Sequence, residues 1–430
     1  MNSRGVGAVR WRLVGWLCVL STIAYLDRVN IAVAGQSIAR EYHLSNVQLG
    51  WLSSALLLGY AAFQAPGGRA ADRLGPRRIL TVAVIWWGVF SAAMALVPVA
   101  GSAIIVMAVL RFALGSGEAV MYPAANRIVA SWIPVRERGL ANGLIFMGPG
   151  IGAGITPPIV TALLVHYGWR ASFIVCAVIG VCAGAVWFVL ARDTPAAHPG
   201  VSADERVYIE GATPASVAAA PLAWRTICGD RNVRLLTLSY FCYGYLAWIF
   251  LAWFFIYLRT ARGMDLSTTA RYAMLPGIAM ALGSGGGGIL NDMLSHRYGR
   301  RVGRCGVAAL GIGLAAVFIA LGTQAEGARI ASITLAAGAG CLYLAQSSFW
   351  SVSADIAGSS AGAVSGVMNM GAQLGGVVTA SLTPWIAGRF GWTSSFLVAA
   401  VLCVLGASAW AFVRPNEAIE STVRAYPTAL

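Results

Sequence analysis

The sequence predicts an all-α membrane protein, with twelve transmembrane helices in two pseudo-symmetric six-helix halves. Composition is the first reason. Of 430 residues 58% are hydrophobic and 11% charged, with a mean hydropathy of +0.72, far too apolar for a soluble chain of this length. Segmentation is the second: apolar runs long enough to span a bilayer, about 17 to 25 residues each, recur along the chain. An internal repeat is the third. Gly139, Gly143, Gly148 and Gly152 return 223 residues later as Gly362, Gly366, Gly371 and Gly375, and YGWRASF (Tyr167 to Phe173) returns as FGWTSSF (Phe390 to Phe396) at the same displacement.

In order, the spans read as 11–35, 46–68, 78–98, 101–126, 138–164 and 168–191, then 234–258, 268–290, 303–322, 328–350, 360–386 and 392–413. The first follows Arg4, Arg10 and Arg12 without a small-residue cleavage site, so it reads as a retained helix. Between spans two and three lies GGRAADRLGPRR, and between eight and nine GGGGILNDMLSHRYGRR, with Asp72 and Asp292 as counterparts and R-x-G-x-R following in both. The polar stretch after Arg192 has no long apolar run and reads as a linker with a short amphipathic helix near 202–210. The expected organisation is a first half over 1–191, a linker over 192–233, a second half over 234–414 and a tail over 415–430.

The formal charge of +14 does not point to nucleic acid. All thirty basic residues are arginine, and on the span map about 21 lie on the side of the N-terminus, which by the positive-inside rule places both termini in the cytoplasm. The eight cysteines lack C-x-x-C spacing and the four histidines sit at span ends or in loops, so no metal site or cofactor is expected. No G-x-x-x-x-G-K-[ST] or H-E-x-x-H motif is present, and an enzyme is not expected, so no catalytic residues are assigned.

Charges inside apolar runs carry the functional signal. Arg111 and Glu118 lie seven residues apart, about two turns or roughly 10 Å along one helix face, and Asp27 and Arg28 sit in the first span. Charge at membrane depth is costly and ordinarily faces a polar cavity or a partner. Each arginine either holds an anionic substrate through two parallel hydrogen bonds or compensates Asp27 or Glu118. Asp27 and Glu118, buried acids beside arginine, suit proton coupling, because an anion that draws the guanidinium away makes the carboxylate easier to protonate.

The paired loops resemble the signature of the major facilitator superfamily. More narrowly, AYLDRVNIAVA, LLLGYAAFQAPGGRAADRLG, RFALGSGEAVMYPAANRIVASWIPVRERGLANG and HYGWRASF resemble the anion:cation symporter family of that superfamily. The resemblance runs from about Trp11 to Val413. It implies proton-coupled uptake of a small organic anion (a sugar acid, dicarboxylate or aromatic acid) by alternating access, with an anion exchanger or exporter of the same fold as the alternative. It also implies a monomer in a bacterial inner membrane.

The arginines of helices one and four match Arg28 and Arg111 as substrate contacts. The resemblance adds Tyr60 and Asn369 as substrate-facing groups. Gln64, a turn beyond Tyr60, shares its face. The second half has no mid-span charges, so Gln346, Ser347 and Tyr243 are its other candidate contacts. Asp72, Arg73, Arg77, Asp292, Arg297 and Arg301 are expected to latch helix ends together as a gate. One departure stands out: where sugar-acid carriers commonly place a polar amide on helix five, this chain has Pro149. A less polar carboxylate thereby becomes comparably plausible.

Overall fold

The computed structural model describes residues 8–44, 46–212 and 222–419. All regular structure among them is helical. The first half holds α1 (Val9–Tyr42), α2 (Asn46–Leu74), α3 (Pro76–Ala95) and α4 (Ala103–Glu118, continued as Met121–Trp132). A helical stretch Arg138–Leu190 then turns at Gly168 into α5 (138–167) and α6 (169–190). The second half repeats the plan: α7 (Arg231–Ala252, continued as Phe254–Thr260), α8 (Leu266–Ala273 and Leu275–Tyr298), α9 (Arg301–Gly306 and Val307–Gln324) and α10 (Ala328–Leu344 and Gln346–Ala357). Ala361–Ala409 turns at Gly391 into α11 (361–390) and α12 (392–409).

The repeat in sequence is a repeat in backbone. Gly168 (φ 78°) and Gly391 (φ 82°), 223 residues apart, make the same reversal, in a region that a Cβ disfavours. The helix-five and helix-eleven glycines divide their labour in the same way. Gly139 and Gly143 lie against α8 of the opposite half, and Gly148 and Gly152 against α1 of their own half. Likewise Gly362 and Gly366 lie against α2 across the boundary, and Gly371 and Gly375 against α7 at home. A Cβ on Gly362 would stand 2.6 Å from Gly68 O, so this approach of two backbones needs glycine. Small residues thus let α5 and α11 pack on both halves at once.

Helix α7 starts at Arg231, where the Asp230 carboxylate accepts from Val233 N at 3.0 Å and caps it. The expected amphipathic linker helix is Ala203–Ala212. Its buried Glu205 accepts from the backbone N–H groups of Val9 and Arg10 at 3.3 and 3.2 Å, capping α1. Of the tail, residues through Ile419 are described, and Ile419 N donates to Ile356 O at the end of α10. The rest of the expected tail lies outside the described residues. We call the face bearing the linker and the described chain ends the linker side, and the opposite one the far side.

Candidate functional site

The four membrane charges converge between α1, α3 and α4, with partners that spacing alone does not give. Arg28 Nε bonds Glu118 Oε2 at 2.5 Å, a buried pair from α1 to α4. Neither Asp27 with Arg28 nor Arg111 with Glu118 forms an ion pair: the first two, adjacent on a helix, diverge by about 100°, and the second two stand about 10 Å apart along one face. Asp27 accepts from Ser91 Oγ on α3 at 2.9 Å, leaving Oδ2 unbonded. Arg111 is 2% exposed, and its Nε and Nη1 lack hydrogen-bond partners.

Arg28 is the guanidinium set in an aromatic frame, 4.1 Å from the Tyr60 ring centroid and 5.0 Å from that of Tyr25. Its Nη2, the Tyr60 hydroxyl and Glu118 Oε1 are buried without partners. One turn beyond Tyr60, Gln64 Oε1 accepts from Asn369 Nδ2 at 3.0 Å across the boundary between the halves. Two of the expected substrate contacts therefore engage each other here, while Gln64 Nε2 is left unbonded.

The second half contributes an aromatic wall. Tyr240 stacks on Tyr243 (5.0 Å between centroids), Tyr243 meets Tyr343 (5.6 Å), and Tyr122, Phe146 and Trp350 join the halves at 4.7 to 5.7 Å. Gln346 Nε2 and Trp350 Nε1 both donate to the Tyr240 hydroxyl, at 2.8 and 3.0 Å. The Tyr243 hydroxyl and Gln346 Oε1 are left without partners. Ser347 accepts from Asn291 Nδ2 of α8 at 3.4 Å, inside the second half. Tyr240 was missed because its ring is one of many in an aromatic-rich span.

On the linker side the halves are bonded together. Asp72 accepts from Gly362 N and Ala363 N (3.0 and 2.7 Å), and Asp292 from Gly139 N and Leu140 N (2.9 and 2.6 Å). Each carboxylate thus caps the first turn of a helix in the other half. The four latch arginines do not reach across. Arg77 Nε donates to Phe188 O and Arg301 Nη2 to Ala411 O, each within its own half, and the side chains of Arg73 and Arg297 are exposed. These loops point to water, which compensates their charge without a partner.

Other arginines cross the boundary. Arg138 Nη1 meets Asp355 Oδ1 at 2.7 Å, Arg304 Nη2 donates to Val135 O at 2.6 Å, and Arg127 Nη1 donates to Gly358 O at 3.2 Å. Within their own halves Arg304 pairs with Asp292 at 2.9 Å and lies 3.4 Å from Asp355, and Arg127 lies 3.7 Å from Asp72. Arg138 and Arg304 are fully buried, as is the Asp355 side chain. The signal for Arg138 was present in the P-x-x-E-R stretch; its neighbour Glu137 ties Arg10 (3.0 Å) to Tyr208 of the linker helix (2.8 Å).

The Major Facilitator Superfamily model matches residues 17–380. The chain belongs to the Major Facilitator Superfamily. It is 36% identical over 96% of its length to the "Probable sulfoacetate transporter SauU" of Cupriavidus necator, covering 95% of that protein. It is 29% identical over 91% of its length to the "Probable L-galactonate transporter" of Escherichia coli, covering 86% of that protein. The solved proton:xylose symporter XylE superposes with a TM-score of 0.75 at 14% identity, over 96% of this chain and 98% of that one. At such identity the likeness speaks for the fold. The chain is a major facilitator transporter, not an enzyme, built of twelve helices in two halves.

Proposed function

We propose that this transporter takes up a small organic anion together with protons by alternating access, with both termini in the cytoplasm. The reading rests on the Arg28–Glu118 pair, 2.5 Å apart, buried, and with a free guanidinium nitrogen beside the Tyr60 hydroxyl. The names of relatives support an anion as cargo, since the two reported above are named for a sulfonate-carboxylate and for a sugar acid.

The substrate's acid group binds Arg28 through Nη2 and Tyr60, and draws the guanidinium from Glu118. A carboxylate that loses its ion-pair partner in a dry site gains affinity for a proton, so anion and proton load together. Arg111 and Asp27 stand behind this pair as a second buried cation and acid, with Asp27 steadied by Ser91. Gln64 and Asn369, bonded to each other across the boundary in this state, part to let the cargo reach both halves. The bonds between the halves on the linker side support a carrier closed on that side, which in this reading faces the cytoplasm.

The test is Glu118→Gln in proteoliposomes, with sulfoacetate and galactonate as trial substrates. The expected outcome is loss of accumulation driven by an imposed pH gradient, while exchange of labelled for unlabelled anion persists. A variant that still concentrates substrate would place the coupling proton elsewhere.

A further inference from the structure

Two adjoining open grooves run along the outside of the bundle on the linker side, where α2 of the first half meets α7 and α11 of the second. One, of about 480 Å3, is lined by Ala65, Pro66, Arg69, Trp224 and Met370, and the other, of about 430 Å3, by Arg234, Phe241, Gly371 and Leu374; Cys228 and Val367 belong to both. The lining separates by depth. Arg69, Trp224 and Arg234 stand at the linker-side ends of their helices. From Arg234 to Phe241 the groove goes on among apolar groups for seven residues of helix, about 10 Å.

The rim carries two guanidinium groups without a direct ion pair. Neither Arg69 nor Arg234 has a carboxylate within salt-bridge distance among the described residues. Asp230, one turn before Arg234, turns its carboxylate to Val233 N, and Asp72, one turn after Arg69, turns its own to the first turn of α11, close enough to feel Arg69 but not to pair with it. Arg69 gives Nη1 to Leu222 O and lies 5.6 Å from the Trp224 ring, while its Nε is buried without a partner. Arg234, Trp224 and Leu238 are exposed.

We infer that this groove is a binding site for one anionic phospholipid, its phosphate at Arg69 and Arg234 and an acyl chain laid along α7 and α11. Charge complementarity selects the occupant. A neutral chain would fill the apolar floor but leave two guanidinium groups without an ion pair at its rim, at the depth where a bilayer carries its phosphates. Trp224 sits at that level as an amphipathic ring suited to the interface. The site bridges α2 with α7 and α11, so it is complete only while these helices keep their present spacing. A bound lipid therefore favours the state closed on the linker side.

The test uses the whole protein in nanodiscs containing phosphatidylcholine and a trace of phosphatidylglycerol with a photoactivatable acyl chain. The expected result is crosslinking concentrated in residues 233–241 and 367–374, competed by unlabelled phosphatidylglycerol but not by phosphatidylcholine or glycerol 3-phosphate. Arg69→Gln with Arg234→Gln should lower that labelling at least fivefold, Lys at both positions should restore it, and Arg78→Gln should leave it unchanged. Labelling spread evenly over the lipid-facing helices, or competed equally by phosphatidylcholine, overturns the site. So does competition by glycerol 3-phosphate alone, which would indicate a free-phosphate site. Crosslinking on the unaltered protein decides the matter even if the double variant fails to fold, and no arm depends on which anion is transported.

Discussion

Arg28 is held from three directions: Glu118 takes Nε, and the rings of Tyr25 and Tyr60 flank the guanidinium. A lysine there keeps the charge and loses both the planar contact to an acid group and the stacking. Uptake by Arg28→Lys should fall at least tenfold, about 1.4 kcal/mol of lost binding or more, with normal insertion verified by size-exclusion chromatography; near-normal affinity would leave Arg28 a structural partner of Glu118. Sequence made these charged residues visible because polar atoms in apolar runs are conspicuous. It could not pair them, because partners lie on different helices: Glu118 answers Arg28 ninety residues away, and Ser91 answers Asp27 from α3. Tyr240 stayed invisible for the opposite reason, one aromatic ring among many.

At the level of helices, the far-side end of the first half is tied by one cluster. Glu41 of α1 accepts from Trp169 Nε1 (2.7 Å) and pairs with Arg170 (2.7 Å), while Arg170 Nε donates to Ala95 O of α3. The second half makes the matching tie from another place. Its repeat has Thr393 where the first has Arg170, and Arg262 supplies the guanidinium, bonding the Tyr257 hydroxyl (2.6 Å) and Ala325 O (2.7 Å). Motif matching shows the Gly-Trp turn in both halves but not the transplanted arginine, because a guanidinium can arrive from any neighbouring loop. The Trp169 N–H, and then Arg170, hold the Glu41 carboxyl below its ordinary range. A lowered carboxyl pKa gives stability that is complete above the unfolded value and lost only as pH falls through the lower, folded one. This tie therefore persists through pH 5. The pH profile of transport in Glu41→Gln should keep the wild-type midpoint, measured as initial uptake from pH 5 to 8; a displaced midpoint would bring Glu41 into the coupling.

Across the whole molecule, these ties make each half a unit, and the halves meet through bonds that must break if the linker side is to open. Asp355 is central to that closure, because its carboxylate faces Arg138 at 2.7 Å and Arg304 at 3.4 Å, all three side chains buried. It escaped notice in the sequence because it falls between two apolar runs, where a lone acid looks like a solvated loop residue. In Asp355→Asn both guanidinium groups lose their shared anion. Deleting one partner of a buried pair costs about 3–5 kcal/mol when the other stays dry. Here the cost falls on the closed arrangement, since opening admits water to both arginines. The halves should therefore shift toward opening on the linker side by up to about a hundredfold, the effect of nearly 3 kcal/mol. Ser351, buried in the closed boundary where Asn142 donates to it at 3.2 Å, provides the probe. With Ser351→Cys in both backgrounds and the native cysteines, exposed Cys228 among them, replaced by Ser, a membrane-impermeant maleimide applied from the linker side should react slowly in the parent and at least tenfold faster with Asp355→Asn. Equal rates would mean that the caps by Asp72 and Asp292 hold the boundary without Asp355.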